Sequence, residues 1–234
     1  MVLAIMQPYI FPYPGYFHLI QACDTFVFYD DVNYIKQGWI NRNRLQLGDK
    51  EFVFTIPLDH SGSFKRICDT TIHPVLFAAW YRKFLLSLEQ SYKKAPFYPQ
   101  MLNLVRSTFD ADCNYISDIC RKSIQLSAEY LGVSKNWIES SRQFRNDHLS
   151  GVDRVLDICR LTGATQYVNA PGGKALYDKQ VFQQADLQLS FIRSVLPAYT
   201  HNGKPALPGL SILDLIAWLE PDEIRHFLLQ YALE

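Results

Sequence analysis

Ser150-Gly151-Val152-Asp153-Arg154-Val155-Leu156-Asp157-Ile158-Cys159-Arg160-Leu161-Thr162-Gly163-Ala164-Thr165-Gln166-Tyr167-Val168-Asn169 decides the fold. Ser150 and Asp153 have the Ser-x-x-Asp spacing of a capping box, in which both side chains satisfy free N–H groups of a first helical turn. Val152, Val155, Leu156 and Cys159 then recur at i, i+3, i+4 and i+7, the apolar stripe of an amphipathic helix. Gly163 closes that helix, and Gln166 to Asn169 reads as a strand. Upstream, Trp137 to Ser140 is a short strand. Downstream, Pro171-Gly172-Gly173 leads into a helix near Lys174 to Ala185, followed by a strand at Gln188 to Ile192. Strands alternating with helices through short connections predict parallel pairing.

The same reading extends to both ends. Residues 2–6 form an apolar strand that stops at Pro8, and three prolines and a glycine between Pro8 and Gly15 exclude regular structure there. Phe17 to Cys23 reads as a helix. Thr25 to Tyr29 is a β-branched and aromatic strand ending at Asp30-Asp31, and a third strand is predicted over Glu51 to Pro57. Leu76 to Ser91, Tyr98 to Phe109 and Ile116 to Leu131 are helical. In the last of these Ile116, Cys120, Ile124, Ser127 and Ala128 share one stripe and Gly132 is the stop. The tail from Ser211 through Trp218 and from Pro221 to Tyr231 reads as two helices. The prediction is one α/β domain over residues 1–234, with a Rossmann-like, mostly parallel sheet. A helical layer is inserted at about residues 73–131, and the chain ends in helices.

Composition narrows the class. The 48 % hydrophobic and 20 % charged content is that of a globular chain, and 23 basic residues against 23 acidic ones leave no basic footprint for nucleic acid. No run approaches the roughly 18 apolar residues of a membrane helix, and the N-terminus lacks the basic leader of a signal peptide. A cytoplasmic protein is expected, without nucleic-acid partner or membrane insertion. Cys23, Cys68, Cys113, Cys120 and Cys159 are odd in number and have no CxxC spacing, so reduced cysteines and no metal site are expected.

In an open α/β sheet, ligands bind beyond the carboxyl ends of the strands, where strand order reverses. Three features fall at such ends: Gln7-Pro8-Tyr9, Asp30-Asp31, and Asn169 to Gly173. The stiff Gln7 to Gly15 loop presents Tyr9 and Tyr13 for stacking on a sugar or base. Asp30-Asp31 reads as a metal site holding a nucleotide diphosphate, as a general-base pair, or as a turn. The polar segment with Tyr34, Lys36, Trp39, Asn41, Arg42, Asn43 and Arg44 has the chemistry to grip a phosphate or carboxylate and stack a ring. Gly172-Gly173 ahead of a helix lets backbone N–H groups approach an anion, although no Walker A pattern surrounds it. His18 and His60 lie nearest these segments, and His60 is the better acid/base candidate of the two.

Gln7-Pro8-Tyr9-Ile10-Phe11-Pro12-Tyr13-Pro14-Gly15-Tyr16-Phe17, Asp24 to Val32 and Trp39-Ile40-Asn41-Arg42-Asn43-Arg44 together resemble the WbqC-like family of bacterial proteins. The resemblance continues through Tyr92 to Pro96, Asn169 to Gly173 with Leu176-Tyr177, and Leu210 to Asp214. It implies a role in surface-polysaccharide or O-antigen biosynthesis, as a transferase moving an acyl or aminoacyl group, such as glycyl, onto a nucleotide-linked amino sugar. In that role Arg42, Arg44 and the Gly172-Gly173 turn hold diphosphate, Tyr9, Tyr13 or Trp39 stacks on a ring, and Asp30, Asp31 or His60 deprotonates the amine. Asn169 and Tyr177 complete the expected substrate contacts. The competing expectations are a non-catalytic sugar-nucleotide-binding or scaffold protein, a nucleotidyl-transferring Rossmann-like enzyme, and a metal-dependent glycosyltransferase. No cofactor and no oligomeric state follow from the sequence.

Overall fold

The computed structural model describes residues 1–59, 64–110, 113–196, 198–201 and 203–234. Strand β1 spans Val2–Met6, helix α1 Pro14–Gln21 and strand β2 Thr25–Phe28. A hairpin of β3 (Arg42–Leu47) and β4 (Lys50–Thr55) comes next. Helices α2 (Pro74–Tyr92), α3 (Tyr98–Phe109) and α4 (Ile116–Tyr130) make up the helical layer. Then β5 (Asn136–Ile138), α5 (Gly151–Thr162), β6 (Gln166–Asn169), α6 (Lys179–Gln184) and β7 (Gln188–Ser194) alternate. A short ladder of β8 (Thr200–His201) and β9 (Lys204–Pro205) precedes α7 (Ile212–Trp218), α8 (Pro221–Leu228) and β10 (Tyr231–Leu233).

Six strands form one sheet in the order β10-β7-β6-β1-β2-β5. All neighbours are parallel except β10, which runs antiparallel on β7. Counted along the chain, this is the doubly wound order 3-2-1-4-5-6, and the direction of winding reverses between β1 and β6. Both faces are covered, so β1 is apolar without a break, and successive residues enter different cores. Leu3, Ile5, Val27, Tyr167 and Leu189 pack with Val155, Ile158 and Cys159 of α5. Ala4, Phe26, Phe28, Val168 and Ile192 pack into the larger core beside α1, α7, α8 and the three inserted helices.

Five segments depart from the sequence reading, the first being α1, which begins at Pro14 inside the stretch expected to lack regular structure, because proline fits the first turn of a helix. Arg42 to Leu47 is a strand paired along its length with β4, with Asn43 and Leu45 buried on one face and Gln46 buried on the other. Ser150 stands at the N-cap of α5, but its hydroxyl makes no cap hydrogen bond, so the capping box is not formed. The helix expected from Lys174 is split into a 3₁₀ turn, Pro171–Ala175, and the short α6, whose first turn is capped by Asp178 accepting from the Gln180 N–H at 2.8 Å. The last helix stops at Leu228, and Tyr231–Leu233 joins the sheet edge instead. Gly163 does end α5, in the left-handed region at φ +68°. Cys23, Cys68, Cys120 and Cys159 are buried free thiols. No helix among the described residues is long and apolar enough to cross a membrane.

His18 on α1 is fully buried, with Nε2 3.1 Å from the Phe227 carbonyl and Nδ1 without a partner. Burial lowers its pKa from the ordinary 6.5, and the contact with the Phe227 carbonyl opposes that shift. Below pH 6.5 the unfolded chain therefore binds a proton that the native fold still refuses, and stability falls as pH drops. Denaturant titrations of wild type and His18→Gln should diverge in their dependence on pH as the pH falls below 6.5, the variant being flatter. Parallel curves would show that His18 carries no part of the acid sensitivity.

Candidate functional site

A cavity of about 600 Å3 opens over the switch point between β1 and β6. Met6 and Ala170, at the carboxyl ends of these two strands, form its floor. Tyr9, Tyr13 and Tyr16 line one side, Trp39, Asn43 and Arg44 another, and Leu196, Pro208 and Gly209 close it from the far end of the chain. Its lining is mainly apolar and aromatic with a few convergent polar groups, the usual composition of a small-molecule site.

The loop after β1 reaches this position because its backbone is held from three directions. Phe11 is a fully buried non-glycine residue at φ +41°. Its carbonyl accepts from Asn43 Nδ2 at 2.6 Å and from Ser211 Oγ at 2.7 Å, and its N–H donates to Ser123 Oγ at 3.0 Å. Asn43 Nδ2 also donates to the Ile10 carbonyl at 2.9 Å. Tyr16 donates its hydroxyl to the Gln7 carbonyl at 2.9 Å, and its ring lies 5.6 Å from that of Tyr9. Gly15 is required here, since a Cβ would sit 2.3 Å from the Tyr13 ring. Burial raises the pKa of both Tyr9 and Tyr13, so these phenols stay protonated.

Trp39 is 39 % exposed, and the guanidinium carbons of Arg42 and Arg44 lie 5.0 and 5.4 Å from its ring centroid. Arg44 also donates to the Gly209 carbonyl at 2.8 Å and pairs with Glu51 at 3.0 Å. Asn41 is buried and satisfied, accepting from the Tyr34 hydroxyl at 2.6 Å and donating to the Ile56 carbonyl at 2.8 Å. Asn41 and Asn43 thus serve the fold as polar core residues, and Asn43 lines the cavity as well. Lys36 is exposed and away from the lining.

Of the residues singled out in the sequence, the cavity gathers Tyr9, Tyr13, Trp39, Asn43 and Arg44. Gln7 contributes its carbonyl to Tyr16 rather than a side chain to the lining. The Asn169 side chain lies against Gly173, where a Cβ would come within 2.4 Å of Nδ2, and Tyr177 packs on the same glycine. The Gly173 N–H is used on the Ala170 carbonyl at 2.9 Å, while Gly172 is exposed. This turn is therefore a structural cradle for Asn169 and lies outside the cavity lining. His60 falls outside the described residues.

Asp30 and Asp31 are both buried and do not line the cavity. Ser140 donates to Asp30 at 2.6 Å, and burial, the largest influence, raises the Asp30 pKa against the pull of that bond. Asp31 accepts from Ser141 and pairs with Arg154 at 2.6 Å, with both side chains of the pair 3 % exposed. Arg154 is itself oriented by Asn146 at 3.0 Å and stacks over Tyr29. Removing one partner of such a pair strands a buried charge and costs about 3–5 kcal/mol, whereas replacing both with apolar residues is far milder. Arg154→Met should lower the melting temperature by about 10 °C, and adding Asp31→Leu should restore most of the loss. Equal losses in the single and double variants would contradict this account.

A second polar centre has no counterpart in the sequence reading. Asp214, 0 % exposed on α7, accepts from Tyr92 at 2.5 Å, from Tyr199, and from His201 Nε2 at 2.7 Å. His201 stacks on Trp218 at 5.0 Å. The cluster fastens α2 and the β8–β9 ladder to α7, behind the wall that Leu196, Pro208 and Gly209 contribute. Its members lie 122 residues apart at the extremes, so no local pattern announces it. Among the described residues no group of three or more His, Cys, Asp or Glu side chains is placed to hold a metal ion.

The chain is 27 % identical over 230 residues to an uncharacterized protein of Mycobacterium tuberculosis, covering 96 % of this chain and 97 % of that protein. No solved structure matches the chain. Residues 7–226 match the WbqC-like protein family, a span that includes every wall of the cavity except Met6, and the chain belongs to that family.

Proposed function

We propose that the protein is a transferase of surface-polysaccharide or O-antigen biosynthesis, acting in the cytoplasm on a nucleotide-linked amino sugar held in the switch-point cavity. The observation that carries this reading is the position and lining of the cavity: three tyrosines and a tryptophan over the reversal of strand order, with Asn43 and Arg44 among them. Flat rings and pyranose faces stack on such side chains, and a nucleotide-linked sugar offers both. In the transfer step the neutral amine attacks the carbonyl carbon of an activated acyl or aminoacyl donor. An amide bond forms, the donor's leaving group departs with its bonding electrons, and the amine's proton follows to solvent or to that group. Holding the two reactants in contact supplies much of such a rate enhancement. Tyr9 and Tyr13, kept protonated by burial, supply neutral hydrogen-bond donors to the complex.

One observation favours binding without turnover as the second reading: no carboxylate or imidazole is among the described lining residues. Asp30, with its raised pKa, is the nearest in character to a general base, but it is engaged by Ser140 away from the lining.

A thermal-shift screen of UDP-, dTDP- and GDP-linked amino sugars against the corresponding neutral hexoses tests the reading. Stabilisation by several degrees with an amino-sugar nucleotide is expected, since a ligand at a hundred times its Kd adds about 2.7 kcal/mol. Trp39→Ala should weaken that binding about tenfold or more, through the loss of a stacking contact worth about 1–3 kcal/mol. Its melting temperature should move by a few degrees at most, because the ring is already half in solvent. Wild-type affinity in Trp39→Ala would remove the ring from the site. Amide formation from an acyl donor, followed by mass spectrometry, separates the transferase from the binding protein.

A further inference from the structure

The two arginines of β3 look alike in sequence and are not alike in charge balance. Side chains alternate across a strand, so Arg42 and Arg44 emerge on the same face, and both reach Trp39. In the hairpin register Arg44 stands opposite Val53, and Glu51 is its diagonal neighbour, which accepts the Arg44 guanidinium at 3.0 Å. Arg42 stands opposite Thr55, with Val53 on one diagonal and Pro57 beyond the end of the ladder on the other. No acid faces it. Among the described residues its guanidinium has no salt-bridge or hydrogen-bond partner, and its Nε is buried without an acceptor. The neighbouring groups do not fill the gap: the Asn41 oxygen is taken by the Tyr34 hydroxyl and its amide by the Ile56 carbonyl. Tyr34 lies close enough for the positive charge of Arg42 to oppose the rise in its pKa that burial causes.

We infer that Arg42 is the phosphate-binding residue of the site, taking the diphosphate of a nucleotide at the outer edge of Trp39, while Arg44 is a positioning residue whose charge is spent on Glu51. This rests on the proposed nucleotide-sugar ligand. A guanidinium is a planar fork of donors matched to two oxygens of a phosphate, and a buried donor left unpaired is costly until an acceptor arrives. The Trp39 ring lies 5.0 Å from that guanidinium and flanks it. The arrangement divides the work: the cavity receives the ring or sugar, and the cation beside it receives the anion.

Isothermal titration calorimetry with UDP, dTDP, GDP and ADP, each beside its own nucleoside, tests the inference in wild type, Arg42→Gln, Arg42→Lys and Glu51→Gln. At least one diphosphate should bind wild type. Its Kd should rise about tenfold to a hundredfold in Arg42→Gln and less in Arg42→Lys, which keeps the charge and loses the fork, while nucleoside affinity stays put. Glu51→Gln should tighten the diphosphate severalfold by releasing the charge of Arg44. Unchanged diphosphate affinity in Arg42→Gln overturns the inference, as does an equal loss for diphosphate and nucleoside, which would mark a structural role. If Arg42→Gln fails to fold, Arg42→Lys and Glu51→Gln decide by the same criteria. Binding of the diphosphate through Arg42 with no gain from an attached amino sugar would leave this inference standing and sink the proposed substrate. Amino-sugar nucleotide binding indifferent to Arg42 would do the reverse.

Discussion

The backbone of Phe11 is the constraint on which the site depends. A non-glycine residue at φ +41° costs on the order of 1–3 kcal/mol, and it persists only where its surroundings hold it there. Here they do so through Asn43 on β3, Ser211 at the start of α7 and Ser123 on α4. Each hydrogen bond contributes about 1 kcal/mol net, so three of them offset the strain. The same bonds join the loop after β1 to the hairpin, the helical layer and the C-terminal helices. Asn43, buried beside the cavity, holds the Ile10 and Phe11 carbonyls of the loop that lines it.

Much of the sheet was legible because its signals are local. Val2 to Met6 is an apolar run, Gln166 to Asn169 and Gln188 to Ile192 are short apolar-centred segments between turn signals, and the structure forms strands there. The helices from Tyr98 and Ile116 begin where their periodicity begins. Failures occurred where tertiary contacts override local pattern. Arg42 to Leu47 carries two arginines and two polar amides in six residues, and only its pairing with β4 makes it a strand. Tyr231 to Leu233 looks like a helix end until β7 offers an open edge.

The site was legible in part for the same reason. That the cavity lies beyond β1 and β6 follows from the fold, and Tyr9, Tyr13 and Trp39 are conspicuous in composition. Asp30-Asp31 marked the end of β2 correctly, but the sequence does not show Arg154 arriving from 123 residues away to neutralise Asp31. Nor does it show that Gly173 is small in order to admit the Asn169 side chain, or that Leu196, Pro208 and Gly209 line the cavity. Charge counting could not separate Arg42 from Arg44, since the difference lies in strand register.

The wall and the hairpin meet through backbone. Arg44 donates to the carbonyl of Gly209, where a Cβ would lie 2.7 Å from its guanidinium. The Leu207 and Ser211 N–H groups donate to Gln46 Oε1 and the Arg44 carbonyl, so apart from the exposed Lys204–Asp49 ion pair the loop enters this joint with main-chain atoms. Leu196 and Pro208 contribute side chains to the rim of the cavity. The side chains of this rim can therefore change, and with them the shape of the opening, while the bonds of the joint stay in place.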